Sequence, residues 1–196
     1  MRSPVLALVV ILALLATVAV VGIAYRHREG IRVRIERYLD GRSVSSRHTL
    51  RVGERFPDVK FLTLDGSRAP LASRPGRIML VDVFTTWCPD CIDEAPALQG
   101  LAQATARLPV DIIGIDQQED APTINRFMAS HGLNYPVVID DQNVTEEQFG
   151  VHYIPVAYLV DSRGIVRGHI IGPQTLPELQ RLVDDALHNR PVGLGS

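Results

Sequence analysis

The spacing of apolar positions changes several times along the chain, and each change predicts an element. An uncharged run of Val, Leu, Ile and Ala fills residues 4–24. As a helix it spans about 31 Å, the thickness of a bilayer core, and it predicts a transmembrane anchor. The rival reading is a cleaved signal peptide ending at Gly22-Ile23-Ala24; a signal h-region, however, usually holds only about 7–15 residues. Between Tyr25 and about Leu50 the pattern lapses into Arg-rich and then Ser-rich sequence, with Ser43, Ser45 and Ser46, which predicts a juxtamembrane segment and linker. Ile31, Val33 and Ile35 alternate with Arg32 and Arg34, and read as a solvated or headgroup-facing stretch rather than a strand.

Beyond residue 50 the periods belong to a folded domain. Residues 59–64 lead into Asp65-Gly66 and return through 68–71, a hairpin. The apolar run 78–84 reads as a buried strand, and helical spacing follows from Pro89, a residue suited to the first turn, to Leu101. Next come a strand at 110–116, a helix at about 122–130 closed near Gly132, a short strand at 137–139 and a helical stretch at 144–149 ended by Gly150. Strands at 156–160 and 165–171 flank a turn at 161–164, and Thr175 with Glu178 forms a capping box for a last helix to about Asn189. Strands alternating with helices, then a hairpin and a closing helix, predict one α/β domain with a mixed sheet. The expected partition is a flank 1–3, the anchor 4–24, the juxtamembrane segment 25–50, the domain 51–190 and a tail 191–196.

Composition narrows the chemistry. A net charge of −2 and the absence of a basic patch beside aromatics give no reason to expect nucleic acid. Only two cysteines occur, both in Trp87-Cys88-Pro89-Asp90-Cys91, at the junction of the buried strand and the helix. At a helix N-terminus, unpaired N–H groups and the dipole favour a thiolate, which makes Cys88 the expected nucleophile. Cys91, one turn on, is placed to attack a mixed disulfide formed on Cys88, the arrangement of dithiol–disulfide exchange. Half of a zinc site has the same Cys-x-x-Cys spacing, but zinc takes about four ligands. No second cysteine pair exists and the six histidines show no metal-ligand spacing.

These residues, with Ile154-Pro155 before a late strand and the closing hairpin and helix, resemble the thioredoxin fold. The likeness is closer to one branch, the membrane-anchored TlpA/ResA-like thiol-disulfide oxidoreductases. It rests on Val52-Gly53, Pro57, Asp65-Gly66, Cys91-x-x-Glu94-x-Pro96-x-Leu98, Phe149-Gly150-Val151 and Val160-Asp161-x-x-Gly164. The resemblance implies a thioredoxin-like α/β fold with an extra N-terminal β-hairpin, preceded by one transmembrane helix. It implies that Cys88 attacks a substrate disulfide and Cys91 resolves the mixed disulfide, that Pro155 is cis and packs against the sulfurs, and that Ile154 offers its backbone to substrate. Relatives usually have Thr where this chain has Val156.

Two acids are further candidates. Asp82 lies in the central strand six residues before Cys88, where thioredoxins carry a buried acid and TlpA/ResA-like proteins more often Asn. In an apolar run its pKa should rise, and it is suited to exchange the Cys91 proton; the alternative is a hydrogen-bonded Asp at a strand edge. Glu94 follows Cys91 by one turn and matches the family's active-site glutamate, the alternative being a solvent-facing helix acid. Asp90 adds negative charge near Cys88, which favours a reductant. Trp87 is expected to shield the site or to pack in the core, and His152 to lie near the sulfurs or on the surface.

The expected function is reduction of disulfides in exported proteins, such as apocytochrome c. No bound cofactor is expected, since the Cys88–Cys91 dithiol carries the two electrons itself. With no further cysteine in the chain, reducing equivalents must come from another protein, as the resemblance implies a membrane thiol donor. The expected location is the cell membrane, single-pass, with the thioredoxin-like domain on the extracytoplasmic (periplasmic) side. Five arginines between 26 and 37 against Arg2 ahead of the anchor make the positive-inside count oppose that orientation, although long domains translocate regardless of flanking charge. The alternatives are a disulfide oxidase or isomerase on the same fold, a peroxidase suggested by Thr85-x-x-Cys88, and a copper-binding chaperone resembling the Sco proteins, whose cysteines are one residue further apart.

Overall fold

The computed structural model describes residues 49–72 and 74–193. The flank 1–3, the anchor 4–24, nearly all of the linker 25–50 and the last three residues of the tail lie outside the described residues. Among the described residues no helix is long and apolar enough to cross a membrane.

The elements are β1 (Val59–Thr63), β2 (Arg68–Leu71), β3 (Ile78–Phe84), α1 (Pro89–Ala104), β4 (Val110–Asp116), α2 (Ala121–His131), β5 (Val137–Ile139), α3 (Val144–Glu147), β6 (Val156–Val160), β7 (Val166–Ile171) and α4 (Leu176–Leu187). The strands form one mixed sheet in the order β2-β1-β5-β4-β3-β6-β7. β3, β4 and β5 run parallel, joined through α1 and α2, while β6 and β7 return antiparallel. The extra hairpin β1-β2 extends the sheet at the other end, β1 pairing antiparallel with β5. β3 is central, covered on both edges by β4 and β6, and all seven of its residues are buried.

Alternation along β3 explains the two cores. Ile78, Leu80 and Phe84 face a core shared with α1, α2 and α4, including Cys88 and Cys91. Met79, Val81 and Val83 face the other, built around Phe61, Phe149 and Tyr158. Because successive strand side chains point to opposite faces, Asp82 belongs with Leu80 and Phe84, on the face that carries the cysteines.

Three local outcomes differ from the sequence pattern. The fold begins earlier than residue 51: Leu50 is buried and its N–H donates to the Phe149 carbonyl at 2.9 Å. Pairing of Gly53 with Val166 and of Phe56 with Gly164 ties the following residues to the start of β7. The helical stretch from Val144 stops at Glu147, because Phe149 is drawn fully into the second core and Gly150 turns the chain at φ 72°. The helix after Thr175 ends at Leu187, with the Glu178 carboxylate accepting from the Thr175 N–H at 2.7 Å at its start.

Gly114 shows how tightly β4 is packed beside the site. It is the register partner of Asp82, and a Cβ there would lie 2.9 Å from Cε1 of Phe84 and 3.1 Å from Cγ2 of Val137. Overpacking of this kind costs about 1–3 kcal/mol, so Gly114→Ala is expected to lower the urea midpoint by a corresponding amount without altering the slope of the transition.

Candidate active site

The site begins where β3 hands over to α1. The first N–H groups of a helix have no partner within it, and side-chain oxygens of Ser, Thr, Asp or Asn usually supply one. Here a sulfur does so. Cys88 is the N-cap, with extended backbone, and its Sγ accepts the Cys91 N–H at 3.4 Å; Pro89 occupies the first helical position. Cys88 therefore stands at the head of α1 with its sulfur turned back over the first turn. Its thiol also donates to the Ile154 carbonyl at 3.8 Å, across a loop in which the Ile154–Pro155 bond is cis. Both cysteines are free thiols and both are buried.

Burial acts on the second thiol and on the two acids. It pushes the Cys91 thiol well above its ordinary range, reinforced by the hydrogen bond and charge of Cys88 and by the charge of Asp82, with a backbone bond at Thr85 pulling the other way. Asp82 is 2% exposed, sits in the central strand rather than at an edge, and has Oδ1 without a partner. Desolvation first, then the charge of Glu94, raises its carboxyl well above the usual range. Glu94 is not solvent-facing: it is 3% exposed, its Oε1 accepts the Gln174 N–H at 3.0 Å and its Oε2 has no partner. Its carboxyl is pushed up to about 7 by burial, against the lowering effect of the Gln174 N–H.

The other expected site residues separate. Trp87 is 69% exposed, so it does not pack in the core; it stands beside the cysteines in solvent. Asp90 is exposed between the two cysteines. Ile154 is half-buried and Pro155 buried, whereas His152 lies on the surface. Among the described residues no group of three His, Cys, Asp or Glu side chains is arranged to hold a metal ion.

Three residues absent from the sequence expectations belong to the same neighbourhood. Tyr135 is buried, and its phenol is raised by desolvation and then by the charges of Asp82 and Glu94. Its only sequence signal is an aromatic before β5. Gln174 joins the β7–α4 turn to α1 through Glu94, with its own Oε1 left without a partner. Glu119, after β4, accepts both the backbone N–H and the hydroxyl of Thr86. Nothing local in the sequence links either residue to the cysteines, because both contacts cross the fold.

The sequence profile of the AhpC/TSA family matches residues 52–169. The thiol-disulfide oxidoreductase ResA of Bacillus thuringiensis is 28% identical over 136 residues, covering 69% of this chain and 79% of that protein. The thioredoxin-like protein YneN of Bacillus subtilis is 26% identical over 134 residues, 67% of this chain and 78% of its own. Among solved structures, a thiol:disulfide interchange protein of the thioredoxin family from Chlorobium tepidum superposes with TM-score 0.62 at 28% identity, over 71% of this chain and 99% of that one.

The raised Glu94 carboxyl makes a stability prediction with a definite sign. In the unfolded chain a glutamate ionises near its ordinary value of about 4.3, while in the fold it holds its proton to about 7. The native state then binds more protons between those values, so its contribution is complete below about pH 4 and is lost as pH rises through 7. Glu94→Gln should remove this decline, on the order of 3 kcal/mol, from the unfolding free energy measured between pH 5 and pH 8. A decline of equal size in the variant would assign it elsewhere.

Proposed function

The chain belongs to the AhpC/TSA family and is a thiol-disulfide oxidoreductase of thioredoxin fold, and on that premise we propose that it works as a reductase of disulfides in exported proteins. One observation carries the reading: the Cys88 sulfur lies at the head of α1, held by the Cys91 N–H and facing the Ile154 carbonyl, one turn from a buried second thiol.

The chemistry follows from that placement. The Cys88 thiolate attacks one sulfur of the substrate disulfide; that S–S bond breaks and the other substrate sulfur leaves as a thiolate. In the mixed disulfide, Cys91 must lose its proton before it can attack, and burial makes that loss difficult. Asp82, which acts on both Cys91 and Glu94, accepts the proton as it passes its own to Glu94, which ionises near neutrality. The Cys91 thiolate then attacks the Cys88 sulfur, expels the second substrate thiolate and leaves a Cys88–Cys91 disulfide. Two electrons have passed from the dithiol to the substrate, with no bound cofactor. Glu94 lines a cleft of ≈ 540 Å³ between α1 and the turn at Pro173 and Gln174, which gives the proton a way to solvent.

Direction is argued from charge. An oxidant of this kind stabilises its reduced form through a favoured thiolate. In this chain Asp90 places a negative charge between the cysteines, where it offers a thiolate no stabilisation, and the pair is accordingly read as a donor of electrons. The substrate backbone is met by Ile154 and Pro155, with Trp87 exposed at the rim. The dithiol is restored by a membrane thiol donor, the apolar residues 4–24 tether the domain to the membrane, and the domain lies on the extracytoplasmic side. Apocytochrome c is one substrate of the right chemistry, a secreted chain whose cysteines must be reduced before use.

Equilibrated against defined thiol buffers, the chain should titrate as a two-electron couple near about −270 mV. A value above about −180 mV would make it an oxidase or isomerase instead. Cys91→Ser, which leaves the attacking sulfur but removes the resolving one, should accumulate mixed disulfides through Cys88 in cells. Adding Cys88→Ser should abolish them, and failure to trap any partner in the single variant would count against exchange.

A further inference from the structure

We propose that Glu119 is a positioning residue for Cys88: its carboxylate clamps the turn that carries Trp87 and the nucleophile. The argument rests on the proposed exchange chemistry but starts from hydrogen bonds. β3 ends at Phe84 and α1 begins at Pro89, leaving 85–88 to set where the sulfur points. Within that turn the Cys88 N–H reaches the Thr85 carbonyl at a long 3.4 Å. Local bonding alone holds it weakly. Thr86, by contrast, donates its backbone N–H to Glu119 Oε2 at 2.6 Å and its hydroxyl to Glu119 Oε1 at 2.7 Å. Two short, charge-assisted bonds to one carboxylate fix both the position and the orientation of the group they hold.

The clamp is itself anchored. The Glu119 N–H donates to Asp116 Oδ1 at 2.9 Å, and the neighbouring Gln117 N–H donates to the Phe84 carbonyl at 3.1 Å. Asp116 is fully buried at the end of β4, its backbone carbonyl accepts from the Asp140 N–H at 2.8 Å, and its Oδ2 has no partner. Desolvation, then the adjacent Glu119 side chain, pushes its carboxyl up to about 8, so a neutral Asp116 supports Glu119 without repelling it at neutral pH. The nearby acids have other duties: Asp120 caps α2 through the Thr123 N–H, Asp141 pairs with Arg68, and Asp65 accepts from Thr63 and Ser67. Of these acids, among the described residues, only Glu119 hydrogen-bonds the active-site turn, and it does so from the loop after β4, an element that the exchange chemistry does not otherwise employ.

The test uses the full-length chain, because Trp87 is its single tryptophan and reports the turn directly. In the Cys91→Ser background, the second-order rate of Cys88 with a small aromatic disulfide is measured alongside the time-resolved anisotropy of Trp87. Glu119→Ala should slow exchange on the order of tenfold and speed local depolarisation of the indole. Glu119→Gln, which keeps one acceptor oxygen for Thr86, should recover part of both. Asp120→Ala, which removes a helix cap but not the clamp, separates positioning from general stability: it should lower the melting temperature and leave rate and anisotropy unchanged. Equal rates and anisotropies in Glu119→Ala and the parent would overturn the proposal, as would an Asp120→Ala variant that reproduces the Glu119→Ala losses. If the parent exchanges no thiol at all, the oxidoreductase reading fails, and the anisotropy of Glu119→Ala alone decides whether the carboxylate holds the turn.

Discussion

A helix N-terminus needs an acceptor, and in this fold the acceptor is the sulfur of Cys88. Much of the site follows from that bond. It places the nucleophile at the exit of the central strand, so the position of Cys88 inherits the rigidity of a strand flanked by β4 and β6. It also fixes Cys91 one turn inward, on the face that packs against the core. The two cysteines, both buried, are thus made chemically unequal by backbone geometry: one sulfur caps the helix and faces Ile154, while the other is a thiol raised by burial.

Enclosure creates the electrostatic problem that the neighbouring residues answer. A thiol in an apolar setting holds its proton, and so do carboxyls placed beside it. Asp82 and Glu94 are both buried and both raised, which is unfavourable for either as an isolated charge but suits a pair that passes a proton. Unsatisfied carboxyl oxygens in a core usually cost stability; here two of them belong to Asp82 and Glu94, and Asp82 acts electrostatically on the Cys91 thiol while Glu94 acts on Asp82. The fold tolerates them because both cores are otherwise well filled, from Leu50 and Phe56 at one end to α4 at the other.

A third feature is that the active-site turn is held from outside its own strand and helix. Gln174 grips Glu94 from the β7–α4 turn, and Glu119 grips Thr86 from the loop after β4. The pentapeptide from Trp87 to Cys91 is short, and its turn is tied to elements remote in sequence, through Thr86 to Glu119 and through the Cys88 thiol to Ile154.

Much of the architecture is determined locally and could be read in the sequence. The strands at 78–84, 110–116, 137–139 and 156–160 follow from predominantly apolar runs, and Cys88 and Cys91 from their place between such a run and a proline-initiated helix, because periodicity and helix-end chemistry are short-range. What periodicity leaves open is pairing across the sheet and burial. Whether Asp82 lies in a central strand, Glu94 inside the fold and Trp87 outside depends on β6, Gln174 and the loop at 153–155, none of which is near in sequence. Glu119 and Tyr135 carried no motif at all. An acid after a strand or an aromatic before one is unremarkable until the sheet closes, since it is tertiary packing that brings a distant carboxylate within 2.6 Å of the Thr86 N–H.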